Sequence, residues 1–109
     1  MFKTHIITLF PELFPGPLGA SVLGRGLDEK RWSLETVPLR SFGAGRHSNV
    51  DDTPAGGGPG MVLRADVLAR AIDSISPPAD PRPRLLMSPR GTPLDQEMAR
   101  KLSREPGLV

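Results

Sequence analysis

The spacing of hydrophobic positions changes several times along the chain, and each change predicts an element. Lys3 to Phe10 holds Ile6, Ile7, Leu9 and Phe10 in a short, nearly continuous apolar run. Such a run, closed by Pro11, predicts a mostly buried strand. The next ten residues, PELFPGPLGA, carry three prolines and predict a loop with at most one helical turn. From Ser21 onward Val22, Leu23 and Leu27 fall at helical spacing, although Gly24 and Gly26 weaken the helix. Trp32, Leu34 and Thr36 alternate through WSLETVPLR and lose phase at Pro38, which predicts a second strand. Ser41 to Gly60 is nearly devoid of large apolar residues and predicts a long loop of the kind that is usually functional or disordered.

The helical period returns at Asp66. Val67, Leu68, Ala71, Ile72 and Ile75 form one stripe, with Arg70, Asp73 and Ser74 opposite. SPPADPRP, which begins at Ser76, reads as a linker, because its prolines forbid a helix. RLLMS, from Arg84 to Ser88, predicts a short buried strand. Thr92-Pro93-Leu94-Asp95 predicts a helix start: a hydroxyl cap, proline in the first helical position and an acid in the third. Leu94, Met98, Ala99 and Leu102 form its stripe, and Pro106-Gly107 stops it. Leu108 and Val109 then read as the first residues of another strand. The alternation predicts an α/β fold, an open and mostly parallel sheet with flanking helices. Because the pattern resets just before Val109, residues 1–109 are expected to be the front part of a longer protein.

Composition narrows the picture modestly. Of the 109 residues, 38% are hydrophobic and 24% charged, as in an ordinary globular domain. Twelve glycines and 13 prolines predict short elements and many loops. The net charge of +2 does not by itself single out a nucleic-acid partner. The cations are mostly arginine, which suits planar recognition of phosphates and bases as readily as it suits a solvated surface. The absence of cysteine excludes a disulfide framework and a thiolate metal site. No apolar run is long enough for a membrane span, and MFKTHIITLF is too short and polar for a secretory signal. A cytoplasmic protein with no metal site is expected.

The candidate chemistry lies in two segments. VDDTPAGGGPGM, from Val50 to Met61, sets two aspartates ahead of four glycines. A glycine loop can cradle phosphate through successive N–H groups. A phosphate-binding enzyme would, however, want a Gly-Lys-Ser/Thr ending, and Gly60 is followed by Met61 and Val62. Bare backbone could instead let a planar base lie flat, with Pro59 as a rigid face. On glycine count alone a flexible connector is the simpler reading, but Pro54 and Pro59 stiffen the segment. Asp51 and Asp52 suit a hard cation, basic partners or a plain turn. His47, beside Arg46, suits a hydrogen-bond donor better than a base, and His5 reads as structural. The second segment, LLMSPRG from Leu85 to Gly91, is a strand end followed by a turn, where open α/β sheets hold ligands.

Taken in order, ITLFPELF, GRG at Gly24 to Gly26, RHSNVDDTPAGGGPGM at Arg46 to Met61, and LMSPRGTPLDQ at Leu86 to Gln96 closely resemble the bacterial tRNA (guanine-N1)-methyltransferase family of TrmD type. The resemblance spans essentially the whole chain. Ala55 stands where the family usually has tyrosine, and Arg90 where an amide side chain is common. The resemblance implies a trefoil-knot methyltransferase of the SPOUT class, acting as a homodimer. Its reaction moves a methyl group from S-adenosylmethionine to N1 of the guanine 3′ of the tRNA anticodon, which maintains reading frame. By the same resemblance Leu86, Met87, Ser88, Pro89 and Gly91 wall the cofactor, while Pro59 and Gly60 approach the target guanine. Arg25, Arg46, His47 and Asp51 are implied in tRNA contact. The family's remaining cofactor loops, its catalytic aspartate and arginine, and its C-terminal tRNA-binding domain have no counterpart in residues 1–109. These residues are thus expected to be the amino-terminal part of the methyltransferase domain, with no catalytic residue assigned and no activity alone. The alternative is a non-catalytic α/β module that binds RNA or a partner chain.

Overall fold

A computed structural model describes all 109 residues. Strand β1 (Phe2–Thr8) runs parallel to β2 (Trp32–Pro38), in register from Phe2 opposite Trp32 to Thr8 opposite Pro38. Between them the chain makes two short 3-10 turns, Pro11–Leu13 and Gly16–Gly19, and helix α1 (Ser21–Asp28). The proline-rich stretch therefore winds more than the single turn expected. β1 also stops earlier than its apolar run, because the Phe10 N–H turns back to the Thr8 hydroxyl at 3.0 Å.

Packing explains the two glycines of α1. A Cβ at Gly24 would stand 2.2 Å from the Gly19 carbonyl oxygen, so the preceding turn can lie on the helix only at glycine. A Cβ at Gly26 would meet the Trp32 ring at 2.9 Å, and the Trp32 indole N–H donates to the Leu23 carbonyl at 3.0 Å.

After β2 a 3-10 turn, Leu39–Phe42, leads into a segment expected to be irregular. The structure instead folds it into two hairpins. Ala44 and Asn49 exchange backbone hydrogen bonds at 2.8 and 2.9 Å, with Arg46 and His47 at the tip. Strand β3 (Asp51–Asp52) then pairs antiparallel with β4 (Val62–Leu63), and the glycines form the connecting loop. Helix α2 (Ala65–Ile75) follows, as its apolar stripe predicts. Helix α3 (Gln96–Ser103) starts three residues later than the Thr92 signal indicates, because Asp95 is the residue that caps it: its carboxylate accepts the Met98 N–H at 2.8 Å.

Strand β5 (Gly107–Leu108) adds to the other side of β1, giving the parallel order β2-β1-β5. The expected Arg84–Ser88 strand is only partly realised. The Leu85 N–H donates to the Val109 carbonyl at 2.7 Å and the Val109 N–H to the Pro83 carbonyl at 3.0 Å, a parallel pairing about Arg84. Leu86 and Met87 run past the end of β5 and make no backbone hydrogen bond.

The buried core is small: Val37, Leu39, Val50, Val67 and Ala71, with Ile7, Leu9, Phe42, Ala44, Leu68 and Ile75 half-buried around them. It sits where the carboxyl end of β2 meets α2, beneath the two hairpins. No helix is long and apolar enough to cross a membrane.

Candidate functional site

Because the main sheet is parallel, its loops sort by end. The two hairpins leave the carboxyl end of β2, and the Ser88–Gly91 turn leaves the carboxyl end of the extended segment that pairs with Val109. Both candidate segments therefore belong to the end where open α/β sheets hold ligands. No backbone hydrogen bond joins them.

In the glycine loop Gly56, Gly57, Gly58 and Gly60 all have φ between +81° and +112°. A Cβ at any of the four would meet no atom within 4 Å. Backbone conformation, and not close approach by the rest of the chain, is what requires glycine here. The Gly57 N–H closes a turn onto the Pro54 carbonyl at 3.0 Å, while the N–H groups of Gly56, Gly58 and Gly60 have no backbone partner. The loop thus presents an open surface without side chains, bearing available donors and followed by the exposed apolar residues Met61, Val62 and Leu63. At its root the Asp52 carboxylate is turned inward onto the Thr53 N–H at 2.7 Å. Asp51, Pro59 and Gly60 are exposed, as are Arg46 and His47 on the neighbouring hairpin.

The second segment is a wall followed by a turn. Leu86 and Met87 are 81% and 89% exposed. Ser88 to Gly91 form a turn closed by the Gly91 N–H on the Ser88 carbonyl at 3.0 Å, and the Ser88 hydroxyl accepts the Arg90 N–H at 3.2 Å. Serine first, proline second and glycine fourth are the residues such a turn favours. Unpaired backbone groups beside apolar side chains offer both an edge and a face to a flat, partly polar ring. Arg25 stands apart from these segments, exposed in the last turn of α1, where the chain heads for the amino end of β2.

Sequence reasoning missed a cluster at that amino end. The stretch read as a linker carries Asp80 and Arg82, whose side chains are 9% and 10% exposed. The Arg82 guanidinium grips Asp80 through Nε and Nη2, donates to the Ile75 carbonyl at 2.8 Å, and reaches His5 Nδ1. Nδ1 therefore accepts, which assigns the His5 hydrogen to Nε2, 3.1 Å from the Glu35 carboxylate. This is a structural histidine, as expected. Arg82's hydrogen bonds hold the Asp80 carboxyl well below the usual carboxylate range. Arg84 adds bonds to the hydroxyl and carbonyl of the fully buried Ser76 at 3.2 and 2.7 Å. A cavity of about 530 Å³ opens here, lined by Met1, Lys3, His5, Ile75, Asp80 and Arg82 among others. Its buried charges are committed to each other, so the cluster braces the fold. The only sequence signal for it was a charge pair spaced by one proline.

The sequence model of the family described as tRNA (Guanine-1)-methyltransferase TrmD matches residues 2–109. A Mesorhizobium japonicum protein named tRNA (guanine-N(1)-)-methyltransferase is 61% identical over 108 residues, which cover 99% of this chain and 47% of that relative. Proteins of the same name from Chelativorans sp. and Brucella ovis are 60% and 55% identical over 99% of this chain, covering 46% and 44% of their own lengths. The chain thus spans just under half the length of these curated relatives. An all-but-complete match at this identity has one conclusion: the chain belongs to the tRNA (guanine-1)-methyltransferase TrmD family.

Proposed function

We propose that the whole protein transfers a methyl group from S-adenosylmethionine to N1 of the guanine 3′ of the tRNA anticodon. The observation that carries this reading is the glycine loop: four positive-φ glycines with open space above them, in a chain of this family. A base must leave its stack before its N1 can be methylated, and an extruded base needs a flat surface with donors for its edge. The free N–H groups of Gly58 and Gly60 meet that need, with Pro59 between them as an apolar face. Asp51, Arg46 and His47 contact the RNA around the base, and Arg25 meets it from outside this group.

The residues present fit the cofactor as one wall of its site. Leu86 and Met87 supply apolar surface and free backbone groups, and the Ser88–Gly91 turn, with Pro89, fixes their direction. Bound there, S-adenosylmethionine supplies an electrophilic methyl on sulfur. The proton on guanine N1 must pass to a base as the methyl arrives. No residue of this chain is assigned that part, and residues 1–109 alone are inactive in this reading. The wider reading includes a SPOUT-type knot completed by further chain, a homodimer, and work on tRNA in the cytoplasm.

The test is methyl transfer by the full-length protein from labelled S-adenosylmethionine to two tRNA transcripts, one with guanosine and one with adenosine 3′ of the anticodon. Label is expected at N1 of that guanosine and absent from the second transcript. Equal labelling of both, or of neither, overturns the proposal.

A further inference from the structure

Three charged side chains at the start of α2 stand between the roots of the two hairpins. Arg64 precedes the helix. Its backbone N–H donates to the Val50 carbonyl at 2.8 Å, tying the exit of the glycine hairpin to its entrance. Its guanidinium grips Asp66 at both oxygens, Nε at 3.1 Å and Nη2 at 3.0 Å. Asp66 also lies 3.8 Å from Arg70, one helical turn on. Arg70 in turn donates to the Phe42 carbonyl at 2.7 Å. Phe42 ends the turn that feeds the Ala44–Asn49 hairpin. Asp66 is therefore the shared anionic partner of two arms, one leading to each hairpin.

Stability does not account for this arrangement. The side chains of Arg64, Asp66 and Arg70 are 33%, 49% and 52% exposed, and ion pairs this open to water contribute little to folding. A two-pronged guanidinium–carboxylate contact does fix direction, because both groups are planar. The hydrogen bond from Arg64 holds the Asp66 carboxyl below its ordinary range, so it remains an acceptor throughout the neutral range.

We propose that Asp66 is a positioning residue that, through Arg64 and Arg70, sets the glycine hairpin and the Arg46–His47 hairpin at a fixed angle to each other for the RNA. The proposal rests on the reading that both hairpins face tRNA.

The experiment uses the full-length enzyme and compares Asp66→Asn, Asp66→Glu and Gly60→Val. Displacing a bound substrate by about 1 Å costs on the order of 100-fold in rate, and a smaller shift about tenfold. Asp66→Asn is thus expected to lower single-turnover methylation of saturating tRNA about tenfold, with cofactor affinity and thermal midpoint little changed. Asp66→Glu, which keeps the negative charge facing both arginines, should recover most of the rate. Parent-like methylation by Asp66→Asn overturns the proposal. So does a rate loss matched by lost cofactor affinity, or one that glutamate does not recover, since either marks a general folding defect. Gly60→Val separates the two readings. If it methylates normally, the hairpin does not face the base and the proposal falls with that reading. If it fails while Asp66→Asn is normal, the positioning role alone is wrong.

Discussion

A methyl group placed on Gly57 would touch nothing, yet it should still destabilise the protein. At φ +87° the Cβ of an L-residue crowds its own backbone, at about 1–2 kcal/mol, and the open space around the loop relieves none of it. Gly57→Ala is therefore expected to lower the unfolding free energy by about that amount in urea titration. An unmoved midpoint would show that the loop readily adopts another path. Gly24 presents the opposite case. Alanine inside a helix ordinarily adds about 1 kcal/mol over glycine. Here its Cβ would lie 2.2 Å from a backbone oxygen, so Gly24→Ala should be net destabilising by about 1–3 kcal/mol in the same titration. The sequence marked both glycines but did not decide which reason, positive φ or close approach, holds at each. Propensity marks glycine as a local weakness, whereas the conformation or neighbour that demands it is a property of the folded chain.

Among the elements, the glycine hairpin depends on one apolar residue just outside it. Val50 is 2% exposed and packs in the core, and its carbonyl receives the Arg64 N–H. Val50→Ala should cost on the order of 2 kcal/mol through the cavity it leaves. It should also raise amide exchange in Asp51–Asp52 and Val62–Leu63 more than in β1, which hydrogen–deuterium exchange can resolve by segment. Uniform acceleration would mean that the hairpin has no separate anchor. At α3, Asp95→Ala should remove about 1 kcal/mol by losing the bond to the Met98 N–H, while Thr92→Ala should be nearly silent in the same thermal measurement. Periodicity made β1, β2, α1, α2 and the onset of β5 legible. It could not show Val50, one apolar residue in a polar stretch, nor choose between two capping signals three residues apart. The candidate cofactor and base segments rest on another kind of signal: their ordered motifs carry the family, and the family carries the expectation.

For the molecule as a whole, acid sensitivity should centre on Asp80. An unfolded aspartate titrates near about 3.9, and the folded carboxyl lies well below that because of Arg82. A depressed folded value means that Asp80 contributes its full stability above about pH 5 and loses it as pH falls through 4 toward the folded value. Asp80→Asn should lower stability at pH 6 and flatten its decline between pH 5 and 3, as followed by urea midpoints. A parallel decline in both proteins would place the acid sensitivity elsewhere. This brace was illegible beforehand because the four prolines from Pro77 to Pro83 read as a linker. Their fixed backbone instead carries two charges to a spot where β1 supplies His5 and α2 its last carbonyls.

The register of the sheet also governs the order in which the chain can fold as it is made. β1 is the central strand, yet its partner at Lys3 is Gly107, more than a hundred positions downstream. At roughly 5–20 residues per second, several seconds of translation separate emergence of the two. β2 arrives much sooner and can zip along the full length of β1, from Phe2 to Thr8. For the interval between, the nascent β1–β2 pair presents a β1 edge left unpaired at Lys3 and Thr4, the kind of edge that templates intermolecular pairing. Nascent chains arrested after β2 should therefore engage a holding chaperone, and chains long enough to expose β5 should release it.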